Sequence, residues 1–497
     1  MSQLDKPNLR LSLVPSYNTR GFVNSSGSSD QRKVNLLYQT AKNPITGKLT
    51  TYLEKRPGIL SGSDFAGTST DDPYLITGNG FDTWMFSKNT VSNAIKAQNT
   101  STTTTIDTDA DRYPAFVSKM LVSTTETVIL QLRHTSEDLN AAQDVFYSST
   151  IGTWTAISDA QFTANKVQGQ MEAIDGYSLY LDENNRVNNS DVNSISAWTA
   201  GQYTTKNIRQ DLPMGLARRG QLILAFGMET VEVFYNASNT SGSPLGRLPQ
   251  LETSIGLGVN ARNGAGGRSY YAELGGRIYF VGNTKGLSQN NLGFYSFDGS
   301  RFEKISTDAI DSILVSRASF ISWVGTLPVF GRMAIAIATT YRNTATQTWL
   351  MFFPEWNEWF EWESTAFQPV NSGDAWIGIG GSAFNLEQGV MNTVGYRDGA
   401  STSYSGVIQL RIPRTGNHSK FMPMFSLEGD TATSASTVGI EFSDDDGQTW
   451  STSRDIDMTS QKKAIYRCGG FRDRLVRMTH STNNALRLEA LAARIDD

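Results

Sequence analysis

The order of apolar and polar residues beyond residue 60 predicts a succession of short β-strands. Apolar side chains alternate with polar ones or form short continuous runs, and clusters of Gly, Asn, Asp and Ser separate these runs. The 3.6-residue repeat of an amphipathic helix hardly occurs. The clearest predicted strand segments are 74–85, 116–132, 177–181, 221–235, 277–282 with 293–304, 332–340 with 348–362, and 376–396.

These segments recur roughly every 45 to 55 residues, which is the period of a β-propeller blade. Each small sheet of a propeller buries both faces against its neighbours, and a closed ring removes most free sheet edges. We therefore predict an all-β fold with a β-propeller of six or seven blades over residues 61–404. A pair of β-sandwich domains is the alternative that periodic strands leave open.

The pattern changes near residue 405, where we predict a separate small β domain over residues 405–497. Twelve basic and twelve acidic residues balance each other from Gly406 onward, and residues 438–451 form a predicted hairpin. Together with residues 1–60 this segment is expected to add a small β domain, formed by the terminal regions, to the propeller.

Composition and charge narrow the classes of protein that remain. Charged residues make up 18% of the 497 residues and hydrophobic ones 39%, which is too apolar for a disordered chain. Cys468 is the single cysteine, so an internal disulfide framework and a multi-cysteine zinc site are excluded. No apolar stretch reaches about 18 residues, and we expect no membrane span.

The basic residues are concentrated in the first 60 positions. Residues 1–60 contain nine Lys or Arg and three acidic residues, a net charge of +6, so the rest of the chain carries −11 of the total of −5. Residues 1–60 are therefore interpreted as an N-terminal arm. A solvated basic arm and an arm that docks on an acidic partner are both consistent with this charge.

The sequence contains none of the common motifs for metal binding, nucleophilic catalysis or phosphate binding. The three histidines are far apart and occur in no metal-binding spacing, there is no G-x-S-x-G sequence, and no helix pattern follows the glycine-rich segments. We predict no catalytic residues, no cofactor, no metal site and no enzymatic activity.

One segment matches an enzyme-associated pattern, the Asp box S-x-D-x-G-x-T-W of sialidase propellers. Its residues here are Ser443, Asp445, Gly447 and Trp450. The side chains of such a box bond the backbone of their own turn, so we interpret these residues as a structural hairpin. A sialidase would also need an arginine cluster and a tyrosine nucleophile with an acidic partner, neither of which the sequence reveals.

Both ends of the chain resemble the tail hub, or nozzle, proteins of short-tailed bacteriophages, a group that includes the packaged-DNA stabilisation family. Near the start, the matching residues are Asp30, Gln31, Arg32 and Asn35, then Asn43, Pro44, Thr46, Gly47 and Lys48, and finally Lys55, Arg56, Pro57 and Gly58. Near the end, a D-G-x-T-W hairpin precedes the R-D-R segment 472–478, as in the closing segment of that family.

The resemblance implies a structural virion protein that forms the distal ring of a short tail, seals the packaged genome and conducts DNA during ejection. It implies a homohexamer made in the host cytoplasm and located in the phage tail. Its partners would be the tail adaptor or connector above it, tail fibres, spikes or a needle, and double-stranded DNA that passes without sequence-specific binding. Eight of the matching N-terminal residues become candidates for docking, namely Asp30, Gln31, Arg32, Asn35, Lys55, Arg56, Pro57 and Gly58.

The alternative function is a receptor-binding or glycan-binding tail propeller, of the kind found in fibres or depolymerases with a sialidase-type fold. The single Asp box and the aromatic-rich segment 349–362 are the sequence features compatible with it.

Overall fold

The computed structural model describes residues 7–13, 32–42, 49–64, 71–79, 82–134, 144–209, 211–258, 271–284, 292–318, 321, 323–339, 346–365, 376–380, 385–392, 395–398, 402–412 and 419–496. Asp30 and Gln31 lie outside these ranges. The chain divides into two compact units. The terminal unit comprises Met1–Leu60, Leu350–Thr365 and Met391–Asp497, and the propeller unit comprises Ser61–Trp349 and Ala366–Val390.

Strands dominate the part of the chain before the propeller sheets. These strands are β1 (Leu9–Ser12), β2 (Arg32–Val34), β3 (Leu36–Lys42), β4 (Leu49–Lys55) and β5 (Gly58–Asp64).

Four four-stranded antiparallel sheets follow, each with its strands paired in chain order. The first contains β6 (Asp71–Asn79), β7 (Asp82–Asn89), β8 (Ile95–Gln98) and β9 (Thr103–Asp107). The second contains β10 (Arg112–Val122), β11 (Thr125–His134), β12 (Asp144–Ser148) and β13 (Thr155–Ala156). The third contains β14 (Val167–Ile174), β15 (Tyr177–Asp182), β16 (Arg186–Asn189) and β17 (Tyr203–Thr205). The fourth contains β18 (Pro213–Arg219), β19 (Leu222–Gly227), β20 (Val231–Asn236) and β21 (Leu245–Arg247).

Three more sheets complete the propeller unit. The fifth contains β22 (Gly256–Leu257), β23 (Tyr271–Leu274), β24 (Arg277–Asn283), β25 (Leu292–Phe297) and β26 (Phe302–Lys304). The sixth begins with β27 (Trp323–Val329) and β28 (Arg332–Ala338). β29 (Gln347–Phe353) pairs next, but its residues from 350 onward belong to the terminal unit, as does all of β30 (Glu358–Ser364). The seventh joins β31 (Trp376–Gly380) and β32 (Asn385–Asn392) to β5, in the order β31-β32-β5.

The helices are short and connect the sheets. They are α1 (Ala160–Thr163), a 3₁₀ turn (Pro249–Leu251) and α2 (Asp308–Ser316). Among the described residues, no helix has the length and apolar character needed to cross a membrane.

Successive sheets pack face to face, and the apolar residues between them form the core. Phe86 of the first sheet and Leu130 of the second share one buried cluster, while Met120 of the second and Tyr180 of the third share another. Leu181 and Phe234 belong to the cluster between the third and fourth sheets. This stacking of small antiparallel sheets confirms the predicted all-β propeller.

The seventh sheet closes the propeller with a strand from the start of the unit. β5 precedes the first sheet in the chain but pairs in the same sheet as the last hairpin, β31–β32. Because β5 comes from the start of the chain's propeller segment and β31–β32 from its end, strands from both ends must be present before this blade is complete.

The terminal unit is a pair of sheets built from both ends of the chain. Its remaining strands are β33 (Arg397–Asp398), β34 (Thr402–Ser403), β35 (Gly406–Arg411), β36 (Lys420–Gly429), β37 (Thr437–Ser443), β38 (Arg454–Asp457), β39 (Ala464–Tyr466), β40 (Gly470–Phe471), β41 (Leu475–His480) and β42 (Arg487–Asp496).

In one of these sheets the order is β3-β4-β42-β36-β39, with β1 also on β42 and β40 also on β36. In the other, β30, β2, β35, β41, β37 and β38 are neighbours in that order. The rings of Phe425 and Phe442, one from each sheet, meet edge to face with centroids 5.9 Å apart. This unit is the predicted small β domain formed by the terminal regions.

The predicted boundaries need correction. The described residues between 32 and 55 do not form a separate arm, because β2 and β4 pair with strands from the far end of the chain, and β3 pairs with β4. The terminal unit also takes in residues 350–365 and begins again at residue 391 rather than 405. Local sequence patterns could not reveal these pairings, because each one joins residues more than 300 positions apart.

A neutral histidine is buried in the terminal unit. The Nε2 atom of His480 lies 2.9 Å from Ser436 Oγ and 2.7 Å from Thr482 Oγ1, and its side chain is fully buried. Burial, together with repulsion from the ammonium group of Lys55, lowers the pKa of His480 to about 4. The folded unit therefore favours the uncharged imidazole.

We expect acid to destabilise the protein through His480. The unfolded chain binds a proton at this residue near pH 6.5 and the folded chain only near pH 4, so stability is unaffected above pH 6.5 and falls as the pH drops towards 4. The full loss is about 3 kcal/mol. Urea unfolding at several pH values should show this part of the pH dependence in the wild type and not in H480Q.

Equal pH dependence in the wild type and H480Q would contradict the prediction.

Candidate functional site

The residues that carry the N-terminal resemblance meet in the interior of the terminal unit. Arg56 and Asp398 form a bidentate ion pair with N–O distances of 2.8 and 2.6 Å, and their side chains are 0% and 1% exposed. Ser364 Oγ donates to the same carboxylate at 2.7 Å. Arg56 also donates to the carbonyl oxygens of Pro57 and Glu363, so this guanidinium is surrounded by acceptors from three distant segments.

Asn35 and Lys55 belong to the same buried network. Asn35 has a φ of +54°, and its Oδ1 accepts from Arg56 Nε at 3.0 Å and from the backbone of Glu363 at 2.9 Å. The Lys55 ammonium lies 4.6 Å from the ring centroid of Tyr404 and donates to the carbonyl of Thr482. Burial, with a further contribution from Arg56, lowers the pKa of Lys55 to about 8.

Gly58 occupies a position that no side chain could share. A Cβ atom there would lie 1.9 Å from the carbonyl oxygen of Arg397, so the backbones of these two segments approach too closely for any other residue.

These positions correct the docking interpretation for most of the motif. Asn35, Lys55 and Arg56 are buried within the chain's own fold and present no side chain to a partner. Arg32 is different, since its side chain is 53% exposed and pairs with Glu361 at 2.9 Å. It remains a docking candidate.

The Asp box forms the turn after β37. Ser443 Oγ donates to Asp445 Oδ1 at 2.7 Å, and the same carboxylate accepts from the backbone of Thr449 at 2.9 Å. Hydrogen bonds from the Thr449 side chain and backbone hold the pKa of Asp445 at about 2. Gly447 has a φ of +85°, and its N–H donates to Ser443 Oγ at 2.8 Å. All these bonds stay within the turn.

The C-terminal R-D-R segment is bonded to this turn. Arg474 is 4% exposed and pairs with Asp444 through two bonds of 2.7 Å, and its guanidinium lies between the rings of Phe442 and Phe471. The guanidinium of Arg477 lies 4.2 Å from the ring centroid of Trp450. The two C-terminal motifs therefore form a single packed element of the terminal unit.

A different cluster in the propeller unit has the features of a binding site. Gln170 and Glu172 on β14 meet Tyr271 on β23, although 99 residues separate Glu172 from Tyr271. The Tyr271 hydroxyl donates to Glu172, and Gln170 Nε2 lies 3.1 Å from the Glu172 carboxylate and 3.2 Å from the Tyr271 oxygen. Sequence reasoning did not identify these residues.

The environment of this cluster shifts its proton equilibria. Burial raises the pKa of Glu172 to about 7, while the hydrogen bond from Tyr271 and the charge of Arg218 act in the opposite direction. Burial and the adjacent Glu172 raise the pKa of Tyr271 well above 10. At neutral pH the carboxyl group is therefore present in both protonation states, which suits a group that accepts and donates hydrogen bonds to hydroxyls.

A small apolar cavity adjoins Gln170 and Tyr271, two of the three polar side chains. It is lined by Gln170, Met214, Gly215, Leu216, Phe226, Leu257 and Tyr271. The rings of Phe226 and Tyr271 are stacked, with centroids 6.5 Å apart. A small apolar cavity with a few convergent polar groups and a shifted carboxyl pKa is a typical candidate binding site.

Metal chemistry has no support in the described part of the chain, where no group of three His, Cys, Asp or Glu residues could hold an ion. Cys468 is buried, and burial raises the pKa of its thiol.

The chain matches no protein-family model and no curated protein. Among solved structures it is similar to a sialidase from Trypanosoma rangeli, at 8% identity and a TM-score of 0.28, over 98% of this chain and 96% of the other. It is also similar to an exo-β-1,3-galactanase from Phanerochaete chrysosporium, at 8% identity and a TM-score of 0.28, over 84% and 95%. A third is a puromycin-hydrolyzing peptidase from Mycobacterium tuberculosis, at 10% identity and a TM-score of 0.37, over 72% and 61%.

The comparisons contradict the expectation that the chain is not an enzyme, because glycoside hydrolases and sialidases are among the matched structures. That expectation is withdrawn. Identities of 8% to 10% with TM-scores of 0.28 to 0.37 assign no activity in its place.

We expect the Arg56–Asp398 pair to be essential for the terminal unit. D398A leaves a buried guanidinium without its counter-charge, which should cost about 3 to 5 kcal/mol. The control E428A removes the partner of Arg10 in an exposed pair, and should cost less than about 1 kcal/mol. Urea unfolding measures both.

A double variant separates buried charge from lost contacts. In R56M/D398A neither charge of the pair remains in the interior, so part of the stability lost in D398A should return. If D398A were as stable as E428A, the buried pair would have no structural importance.

Proposed function

We propose that this chain is a structural protein of a short phage tail that forms the distal ring, seals the packaged genome and conducts DNA during ejection. The observation that carries the proposal is the position of the segments that resemble nozzle proteins. β2, which begins at Arg32, pairs with β35; β35 pairs with β41, and β41 pairs with β37, which ends at the Asp box.

This arrangement supports the resemblance because the matching segments are far apart in sequence and neighbours in one sheet. The Lys55–Gly58 segment joins the same unit through Arg56 and its acceptors. Residues that a fold needs in contact are expected to recur together in proteins that share it. The resemblance therefore concerns one folded element rather than unconnected short matches.

The partners follow from the same proposal. Six copies would form the ring, a tail adaptor or connector would lie above it, and fibres, spikes or a needle would attach to it. DNA would pass without sequence-specific binding, and the net charge of −11 beyond residue 60 agrees with a wall that does not hold phosphates.

The test of the ring is the subunit count. We expect native mass spectrometry of concentrated protein, or symmetry-free reconstruction of assembled tails, to show six subunits, because a closed ring satisfies identical head-to-tail interfaces. Any other closed number would contradict the hexamer. Absence from virions purified after infection, with retained DNA unaffected by its deletion, would refute the tail function.

A second candidate is a glycan-binding tail propeller, and the Glu172–Tyr271–Gln170 cluster favours it. Gln170 and Tyr271 of the cluster line a small apolar cavity, and Glu172 bonds both of them. Aromatic rings and hydrogen-bonding side chains of this kind contact the apolar face and the hydroxyls of a sugar. The names of the matched glycosidases agree with this candidate, and none of the structures named above is a tail protein.

We expect E172Q to weaken glycan binding at least tenfold, because Glu172 accepts hydrogen bonds from Tyr271 and Gln170 at the cavity, and the amide replaces one of its two acceptor oxygens by a donor. The probes are immobilised β-1,3-galactan oligosaccharides and sialylated glycans, with a polysaccharide-clearing assay beside them. E183Q is the control, since Glu183 makes a partly exposed pair with Lys166 at 3.7 Å. Failure of the wild type to bind any probe would refute this candidate.

A further inference from the structure

Strand β1 occupies an edge that the terminal unit cannot leave open. Leu9, Arg10, Leu11 and Ser12 pair with Ala493, Ala492, Leu491 and Ala490 of β42 in antiparallel register. β4 covers the same edge only at residues 487 and 488, and β36 lies on the opposite side of β42. Among the described strands, β1 alone therefore covers the backbone of residues 490–493.

The contacts of β1 are specific although the strand has only four residues. Asn8 bonds both the backbone nitrogen and the carbonyl oxygen of Ile495, and the N–H of Leu13 donates to Glu489 at 3.0 Å. The Leu13 side chain is 1% exposed, and Arg10 pairs with Glu428. These contacts fix the register of any strand with this sequence.

The β1 strand that pairs with β42 can come from the same subunit or from a neighbouring one, because neither the register nor the length of the connecting chain restricts it to one subunit. About 480 residues separate β1 from β42 in sequence. Eighteen residues, 14–31, connect Leu13 to Arg32 at the start of β2, and that number of residues spans up to roughly 60 Å when extended. A neighbouring subunit could therefore supply the same strand at the same edge with all contacts preserved.

We propose that in the assembled ring β1 pairs with β42 of the neighbouring copy of this chain. The inference rests on the ring of the proposed function. Exchange in one direction around a closed ring gives every subunit one donated and one accepted strand, so no edge is left open. Such an exchange joins subunits while adding no new type of contact. Exposed β1, with no strand on its other edge among the described residues, is free of obstacles to this move.

The experiment places one cysteine in each of two chains, on a C468A background. Chains carrying R10C and differently tagged chains carrying A492C are mixed before assembly and oxidised afterwards. Arg10 and Ala492 are register partners, so the two cysteines can bond wherever β1 meets β42. We expect disulfides between differently tagged chains in rings, and covalent species of up to six chains when both substitutions are in one chain.

The matched control is T40C/T51C, whose hydroxyl oxygens lie 3.4 Å apart within the β3–β4 hairpin. Its disulfide should stay within one chain in every assembly state. Rings in which R10C/A492C also closes only within single chains would overturn the exchange and leave the proposed ring intact. If native mass spectrometry found no ring in protein or tails, the proposed function would fail with it.

Discussion

The buried ion pair between Arg56 and Asp398 is the interaction on which the terminal unit depends. A guanidinium and a carboxylate removed from water cost several kcal/mol each unless their hydrogen-bonding groups are satisfied. Here the acceptors and donors come from residues 35, 56, 363, 364 and 398, so the pair is stable only when three chain segments have already met. The ion pair therefore stabilises only the fold in which the two ends of the chain and residues 350–365 are correctly packed together.

In the propeller unit, the small sheets have edge strands whose outer side has unpaired backbone groups. Among the described strands, the first strands of the first, second, fourth and sixth sheets pair on one side only, and each contains a proline. These prolines are Pro73, Pro114, Pro213 and Pro328. Because proline has no N–H to donate, it is tolerated in a strand whose outer side has no partner. It also prevents that side from pairing with another chain.

The sequence could predict the propeller because its order comes from local rules. Alternating apolar residues and turn clusters mark hairpins that pair with their immediate neighbours, as β10 and β11 do. The existence of a terminal β domain was predicted, but its strand pairings and boundaries were beyond such rules, since β2 meets β35 only after about 375 intervening positions. The Glu172–Tyr271 contact is similarly non-local. In the sequence, the only local indication of this contact is that the polar residues Gln170 and Glu172 occur in β14, a strand whose other residues are mostly buried.

The motifs of the terminal unit are therefore informative about fold and less so about binding. Arg56, Arg474 and Asp445 form hydrogen bonds with other residues of the same chain, and these bonds hold its segments together. The bonded groups are therefore not available to bind a ligand or a partner protein. A resemblance based on such residues carries the architecture from one protein to another, because the architecture is what these contacts determine. Differences in partner or ligand must come from residues that remain accessible, such as Arg32, and from the cavity beside Glu172. Binding and activity in this chain are therefore expected at accessible residues and cavities, whose positions the buried motif residues stabilise, and not at the motif residues themselves.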